Sequence, residues 1–390
     1  SYSFNAILLL VVILICTGDP GCDPGYLFSV ISNLAHCSCF STVTVSYSIM
    51  SDTDPDADSI SDANDSHSDE ALISVAVREL CNQLRANDPM LCNDSVFAPF
   101  SQLEYYGYEC SDAQCIELLK ALKENTSVKH IDFTLFKGHY TGNSALAATE
   151  YVESSKTLQI VDLSISRDQY YHGVRGMISL VLRALSRNKS VTKLIINSNV
   201  VRCAITAFQE LLTCAQTLQK LKLIDFSDNV LNEVQIAAIT SGFANNTTLR
   251  DLKFRGWREA DLIPVLTALQ DHPALQKIHL SASPSPYIVS LPSLSGLEVL
   301  LRSQDSKVKE LILERMNTST VGLRSVIREL GRNTTVTKLA ILNSVLSREN
   351  VQQLKSMLQR NTALESLDLE SSALGSAGLA EIASVLYRNT

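Results

Sequence analysis

The carboxyl-terminal stretch 361–390, NTALESLDLESSALGSAGLAEIASVLYRNT, contains one complete strand–turn–helix unit, and imperfect copies of it recur back to about residue 120. Leu367 and Leu369 alternate as residues do on one face of a short strand. Apolar residues between positions 379 and 386 then follow at helical spacing. Because neither element alone buries its apolar side and a stack of copies does, the sequence predicts a solenoid of repeated units.

Nine units can be aligned on an apolar residue that lies three positions before a pair of alternating apolar residues. Successive starts are 26 to 33 residues apart, which indicates a period of about 28 residues with insertions. The fourth unit could begin at Leu218; Leu221 is preferred because it places Asn229 and Leu231 where the pattern requires them. The predicted starts are Val128, Leu158, Val191, Leu221, Leu249, Leu275, Val308, Val336 and Leu364. The predicted strand pairs are Ile131/Phe133, Val161/Leu163, Leu194/Ile196, Ile224/Phe226, Leu252/Phe254, Ile278/Leu280, Leu311/Leu313, Leu339/Ile341 and Leu367/Leu369.

The pattern LxxLxLxxNxL followed by a helix resembles the ribonuclease-inhibitor type of leucine-rich repeat, over residues 112–390. This resemblance implies an α/β solenoid shaped as a curved horseshoe, with parallel strands on the concave side and helices on the convex side. In that family an asparagine bonds the turn after the strand, and it is present here as Asn199 and Asn229. The repeats are degenerate, which predicts irregular turns, since other residues take that position elsewhere: Phe136, Ser166, Trp257, Ser283, Met316, Ser344 and Ser372.

Asparagines also recur near the predicted helix ends at the repeat period, which indicates a C-cap role in the left-handed conformation that asparagine tolerates. Several of them, such as Asn125-Thr-Ser, satisfy the glycosylation sequon, a property that matters only if the chain is secreted. These asparagines are Asn125, Asn188, Asn246, Asn333, Asn361 and Asn389.

Two segments lie between the amino-terminal region and the repeats. Residues 71–111 are expected to form a helical cap over the open end of the solenoid, with Val77, Leu80 and Leu84 on one face of its helix. Residues 50–70 contain seven aspartates, one glutamate and no basic residue. Such a segment buries too little apolar area to offset its ordering entropy, so it is predicted to be disordered.

Residues 1–49 contain an apolar run at 6–16, AILLLVVILIC, which is shorter than the roughly 20 residues that span a bilayer. Three interpretations remain open: a start-site artefact, a truncated signal peptide, or a membrane anchor. At the other end, the junction Arg388-Asn389-Thr390 matches the one that opens other copies of the repeat. The array is therefore expected to be truncated at the carboxyl terminus.

The composition argues against several classes of function. A net charge of −8 does not suit a nucleic-acid-binding surface. Ten cysteines are too dilute for a disulfide scaffold, and Cys203 and Cys214 are predicted to be buried thiols. The motifs GxxxxGK[ST], HExxH and GxSxG do not occur. No catalytic, cofactor-binding or metal-binding residue is therefore predicted, and the chain is not expected to be an enzyme.

The solvent-facing positions of the strands are the most plausible binding surface. The fifth and sixth repeats offer a mostly basic group, for which an acidic ligand is a hypothesis. The seventh repeat contributes Glu310 and Glu314, and the ninth contributes Asp368 and Glu370. The basic group is Asp251, Lys253, Arg255, Lys277 and His279.

The sequence thus predicts a non-catalytic, cytoplasmic scaffold that binds a protein partner, and neither nucleic acid nor a membrane, through the concave sheet. Two alternatives remain open. A GTPase-regulatory leucine-rich-repeat protein would act on a nucleotide-binding partner. A secreted or membrane-anchored recognition protein would use the same sheet outside the cell, through a genuine signal or anchor at residues 6–16.

Overall fold

The computed structural model describes residues 66–87, 111–133, 141–165, 174–224, 226, 231–282, 294–316 and 320–386. All the described residues belong to one compact unit, Ala63–Thr390. The apolar run 6–16 lies outside the described residues, as does the stretch 283–293 of the sixth repeat, which contains three prolines. Of the helices that the structure describes, none combines the length and hydrophobicity that a membrane span requires.

Within the described residues, nine strands form a single parallel sheet in chain order. Strands of consecutive repeats pair with each other from β1 to β9, so the fold is the α/β leucine-rich-repeat solenoid that the sequence predicts. The strands are β1 His130–Asp132, β2 Ile160–Asp162, β3 Lys193–Asn197, β4 Lys220–Ile224, β5 Asp251–Arg255, β6 Lys277–Ser281, β7 Glu310–Glu314, β8 Lys338–Leu342 and β9 Ser366–Asp368.

Helices alternate with the strands and pack against one another in a second layer. The first helix begins at Ser66, five residues before the predicted start at Ala71 and inside the segment predicted to be disordered. The helices are α1 Ser66–Arg85, α2 Asp112–Glu124, α3 Gly142–Ser154, α4 Val174–Arg187, α5 Ser198–Cys203, α6 Ile205–Cys214, α7 Glu233–Ala244, α8 Glu259–Ala268, α9 Ser295–Arg302, α10 Thr320–Leu330, α11 Arg348–Leu358 and α12 Gly375–Leu386.

The two layers have different spacings, and this difference makes the stack curve. Neighbouring strands lie about 4.8 Å apart, whereas packed helices lie about 8–10 Å apart. A stack with strands on one side and helices on the other therefore bends toward the strands. The strand face that points away from the helices is the concave face of the solenoid.

The core lies between the sheet and the helices. In eight of the nine repeats the strand pairing joins the residues that the sequence predicts; for example, Leu311 and Leu313 of β7 lie opposite Leu339 and Ile341 of β8. All four of these side chains are at most 1% exposed. These eight register predictions are confirmed.

The predicted register of the fourth repeat is wrong. Leu221 of β4 lies opposite Leu194 of β3, and Leu223 lies opposite Ile196. Leu221 and Leu223 are fully buried, whereas Ile224 is only half-buried. The repeat therefore starts at Leu218, and position 226 rather than Asn229 takes the place of the family's asparagine. The error arises because Leu221/Leu223 and Ile224/Phe226 have the same spacing.

The turn after each strand is built differently from repeat to repeat. Asn199 donates its side-chain amide to the Ile165 carbonyl at 3.0 Å, the bond expected of the family's asparagine. Ser344 instead accepts a bond from the Met316 backbone amide at 3.0 Å. In the repeats of β5, β7, β8 and β9, a residue with positive φ lies after the strand, four positions beyond the first residue of the predicted strand pair. These residues are Gly256, Arg315, Asn343 and Ser371.

The recurrent asparagines lie just after the helices, as predicted, but they do not act through a left-handed backbone. Asn125 has φ −76° and ψ 136°. Its buried side chain donates to the Leu84 carbonyl of the preceding helix at 2.7 Å and accepts from the Ser127 and Val128 amides at 2.9 and 2.7 Å. The side chain, rather than the backbone conformation, thus links consecutive repeats. The described members of this asparagine ladder are Asn125, Asn188, Asn246, Asn333 and Asn361.

One further expectation about burial needs correction. Cys203 is buried as predicted, whereas Cys214, at the end of α6, is exposed. In α12 the buried side chains include Ile382, while Leu379 and Leu386 are 60% and 46% exposed.

Candidate partner-binding surface

The five residues of the predicted basic group lie on the concave face of β5 and β6, and each is half-buried. Asp251 lies opposite Lys277, and Lys253 lies opposite His279, while Arg255 lies opposite Ser281. The structure therefore brings together the residues that the sequence selects. It also shows which charged side chains lie next to them.

Two glutamates of β7 neutralise much of this group. The Lys277 ammonium contacts the Glu310 carboxylate at 2.6 Å, Nζ to Oε1. The Glu314 carboxylate contacts two groups through Oε2: the Lys253 ammonium at 3.4 Å, and Nε2 of the His279 ring at 2.8 Å. The predicted basic group is thus part of a mixed-charge network across three strands.

The ionisation of this network follows from its burial and its charges. Burial and the neighbouring Lys253 lower the pKa of His279, against the opposing effect of Glu314. At neutral pH the ring is then uncharged and carries its proton on Nε2, the nitrogen that faces the carboxylate. Burial raises the pKa of Glu314, but Lys253 and His279 outweigh it and leave the pKa below its usual value. Glu314 is therefore an anion held between two donors.

A second group of cations lies on the two preceding strands, β3 and β4, and we call Lys193, Lys220 and Lys222 the lysine cluster. Lys193 of β3 lies directly opposite Lys220 of β4, and Lys222 lies opposite Lys253 of β5. Lys220 is exposed, and the other two members are half-buried. Among the residues that the structure describes, no carboxylate lies within ion-pairing distance of the three members.

The positive charges of the lysine cluster repel one another. Burial lowers the pKa of Lys193, and repulsion by Lys222 and Lys220 lowers it further, against attraction by Asp162 and Asp251. The two aspartates are close enough to act through space, yet their attraction does not cancel the lowering. The lysine cluster is accordingly a region of positive potential on the concave face.

Acidic and apolar side chains surround the lysine cluster. Asp162 of β2 lies on one side, and Asp251 of β5, opposite Lys220, lies on the other, with Glu310 and Glu314 of β7 two strands further along. Ile195 lies opposite Lys222, and Ile224 ends the same strand; both isoleucines are half-buried on the concave face. The positive region is therefore short, bounded, and mixed with aliphatic surface.

Sequence reasoning missed the lysine cluster because of the register error in the fourth repeat. Starting that repeat at Leu221 moves Lys220 and Lys222 out of the concave positions. The KLKL alternation of residues 220–223 is the signal that could have found them, because it places two lysines on one strand face and two leucines on the other.

The described residues offer little that resembles a catalytic centre. Across the described ranges, no group of three or more His, Cys, Asp or Glu side chains is arranged to hold a metal ion. His130 lies on the concave face of strand β1, and burial lowers its pKa. Burial also raises the pKa of the Cys203 thiol to about 11, which suppresses the reactive thiolate.

Comparisons with known proteins return distant structural likenesses. No protein-family model and no curated protein matches the sequence. The leucine-rich-repeat-containing protein LegL7 from Legionella pneumophila is 14% identical, with a TM-score of 0.45, over 70% of this chain and 85% of that chain. A chain from the Rad7 and Elc1 complex in yeast is 11% identical, with a TM-score of 0.45, over 83% and 76%.

The structure of a TLR13–ssRNA13 complex also contains a similar chain, 14% identical with a TM-score of 0.36, over 64% of this chain and 37% of that chain. These likenesses are too distant to carry an argument about function. The assignment of the fold rests on the strand order, the repeat register and the buried leucine pattern of the chain itself.

Proposed function

We propose that this chain is a non-catalytic scaffold that binds a protein partner through the concave face of its sheet. The observation that carries the proposal is the sheet itself: nine parallel strands, within the described residues, present one continuous row of half-exposed side chains. A surface held in place by a packed core loses little conformational freedom when it binds. It suits recognition of a partner over several strands.

We infer further that the repeats are of the ribonuclease-inhibitor type. The alternation of a strand with a full helix in each repeat supports this, as does the period of about 28 residues. We also propose a cytoplasmic location. Cys203 and Cys214, both within the described part of the chain, form no disulfide, which suits a reducing compartment.

Quantitative affinity capture with the full chain and two arginine variants tests the proposal. Ile312→Arg adds a bulky charge at a half-buried position of the concave face, on β7. Val234→Arg makes the same change on the helix side, at a residue of α7 that is 74% exposed. We expect Ile312→Arg to lose partner proteins that the original chain and Val234→Arg both retain.

The opposite pattern contradicts the proposal. If Val234→Arg loses its partners while Ile312→Arg keeps them, the helix side is the binding surface. Circular dichroism and thermal unfolding of both variants show whether each still folds, so that a loss of binding is not confused with a loss of structure.

A further inference from the structure

The arrangement of the lysine cluster is unfavourable for the fold alone. Like charges directly opposite each other on neighbouring strands destabilise a sheet. Elsewhere on the same face, opposite charges are aligned: Lys277 lies opposite Glu310 and forms a 2.6 Å ion pair with it. At the equivalent positions of β3 and β4, Lys193 lies opposite Lys220. On its other side Lys220 lies opposite Asp251 of β5, but within the described part of the chain no ion pair joins them. Positive charge therefore exceeds negative charge at β3 and β4, whereas the charges at β6 and β7 are paired.

We propose that Lys193, Lys220 and Lys222 form the recognition site for an acidic segment of a partner protein. This inference rests on the proposed function and names the chemistry of the partner. Carboxylates placed between the three ammonium groups would form ion pairs that the described residues of the chain do not supply. Because the cluster is partly exposed, these contacts would steer the association and fix the register of the bound segment.

The surroundings of the cluster favour a short protein segment over a long polyanion. A nucleic acid that followed the concave face would meet Asp162 on one side and Glu310 with Glu314 on the other. A segment of a few residues can place its acids within the positive region and avoid both. Ile195 and Ile224 also give the site an aliphatic floor, which is suited to an apolar side chain between the acids.

Selection from a displayed library of random dodecapeptides, with the full chain as bait, tests this proposal. We expect the enriched peptides to combine acidic residues with at least one large apolar residue. We expect the double variant Lys220→Glu, Lys222→Glu to bind a synthetic copy of such a peptide at least about tenfold more weakly. Added salt should weaken binding to the original chain, because exposed charges are screened over about 8 Å at physiological ionic strength.

The matched control is Lys120→Glu, Lys156→Glu, which makes the same change of charge at two exposed lysines outside the concave face. It should bind the peptide as the original chain does. An equal loss of affinity in the control variant contradicts the proposal, because net charge rather than position would then be responsible. Tighter binding of an oligothymidylate than of the peptide contradicts it as well, since the site would then be one for nucleic acid.

The two proposals can fail separately. If Ile312→Arg abolishes capture of partners and the lysine variant leaves the selected peptides bound, the concave face binds a partner through other residues. If neither variant affects any binding, both proposals are wrong. A selection that enriches peptides without acidic residues refutes the acidic segment alone.

Discussion

Phe226 and Trp257 stack with their ring centroids 4.3 Å apart and their planes 23° from parallel. They occupy the same position in consecutive repeats, the position of the asparagine in the repeat pattern. Trp257 also meets Phe254 edge-on at 5.4 Å. Aromatic contacts of this kind add about 0.5–1.5 kcal/mol each beyond the area they bury. In the fourth and fifth repeats, aromatic side chains therefore pack where the repeat pattern has an asparagine.

The register of the fourth repeat can be tested with two neighbouring alanine variants. Leu223→Ala should destabilise the protein by about 2–5 kcal/mol, because the side chain is fully buried. Ile224→Ala should cost about 1 kcal/mol or less, since this residue is half-buried on the concave face. Urea denaturation followed by circular dichroism measures both changes. The reverse ranking of the two variants would restore the register that starts at Leu221.

Sequence periodicity alone predicts the architecture well. Eight of the nine strand pairs could be placed from the spacing of the apolar residues together with the repeat period. In the fourth repeat, LKLIDF supports two registers, and the presence of Asn229 favoured the wrong one. The deciding fact is that Leu221 and Leu223 pair with Leu194 and Ile196 of the preceding strand, a contact across repeats that no local pattern reveals.

The asparagine ladder should be essential for stability. The Asn246 side chain donates to the Leu212 carbonyl at 2.6 Å and accepts from the Thr248 and Leu249 amides at 3.0 and 2.8 Å. Asn246→Ala leaves these buried groups unpaired and should cost at least about 2 kcal/mol. The adjacent Asn245 is exposed, so Asn245→Ala should cost less than about 1 kcal/mol.

Chemical denaturation of the two variants supplies the comparison. Equal losses for Asn245→Ala and Asn246→Ala would mean that the ladder contributes no more than an exposed helix end.

The ladder also bears on glycosylation: Asn125, Asn188 and Asn333 lie in sequons but are at most 6% exposed, with their amide groups bonded to carbonyls.

A histidine takes the place of asparagine in the sixth repeat and should make stability depend on pH. The Nδ1 atom of His272 accepts from the Ala274 and Leu275 amides at 3.3 and 3.1 Å, and Nε2 lies 3.3 Å from Oδ1 of Asn246. This arrangement requires a neutral ring with its proton on Nε2. Burial lowers the pKa of His272 below its ordinary value of 6.5.

The direction of the pH effect follows from this lowered pKa. The unfolded chain takes up a proton near pH 6.5, before the folded chain does, so the stabilisation from neutral His272 is complete above that pH. It is lost as the pH falls from 6.5 toward the folded pKa. His272→Asn should therefore lose less stability than the original chain between about pH 7.5 and pH 5.

Denaturation midpoints at several pH values measure this difference. His130 and His279, whose pKa values are also lowered, are present in both proteins and cancel in the comparison. Parallel pH curves for the two proteins would show that His272 does not titrate in this range.

Equivalent strand positions should differ in their contribution to stability according to their burial. Leu339 in β8 is 1% exposed, and Leu339→Ala should cost about 2–5 kcal/mol. Leu367 lies opposite it in β9 but is only half-buried, so Leu367→Ala should cost about 1 kcal/mol. Thermal or urea unfolding of the two variants compares them directly. A larger loss for Leu367→Ala would contradict the burial described here.

The candidate binding surface was only partly predictable. The residue types on β5 and β6 follow from the alternation along each strand, and the structure places them together. Their neutralisation does not follow, because Glu314 reaches Lys253 from two strands away. The sequence shows which residues share a face, whereas side-chain reach across several strands decides which charges remain unpaired.

Covalent footprinting of lysines tests the central claim most directly. The full chain is acetylated briefly with and without a peptide enriched by the selection described above, and the modified residues are quantified by mass spectrometry. The peptide should protect Lys193, Lys220 and Lys222 and leave Lys120 and Lys156 unchanged. Unchanged acetylation of the lysine cluster, with protection at Lys120 or Lys156, would show that the partner binds outside the concave face.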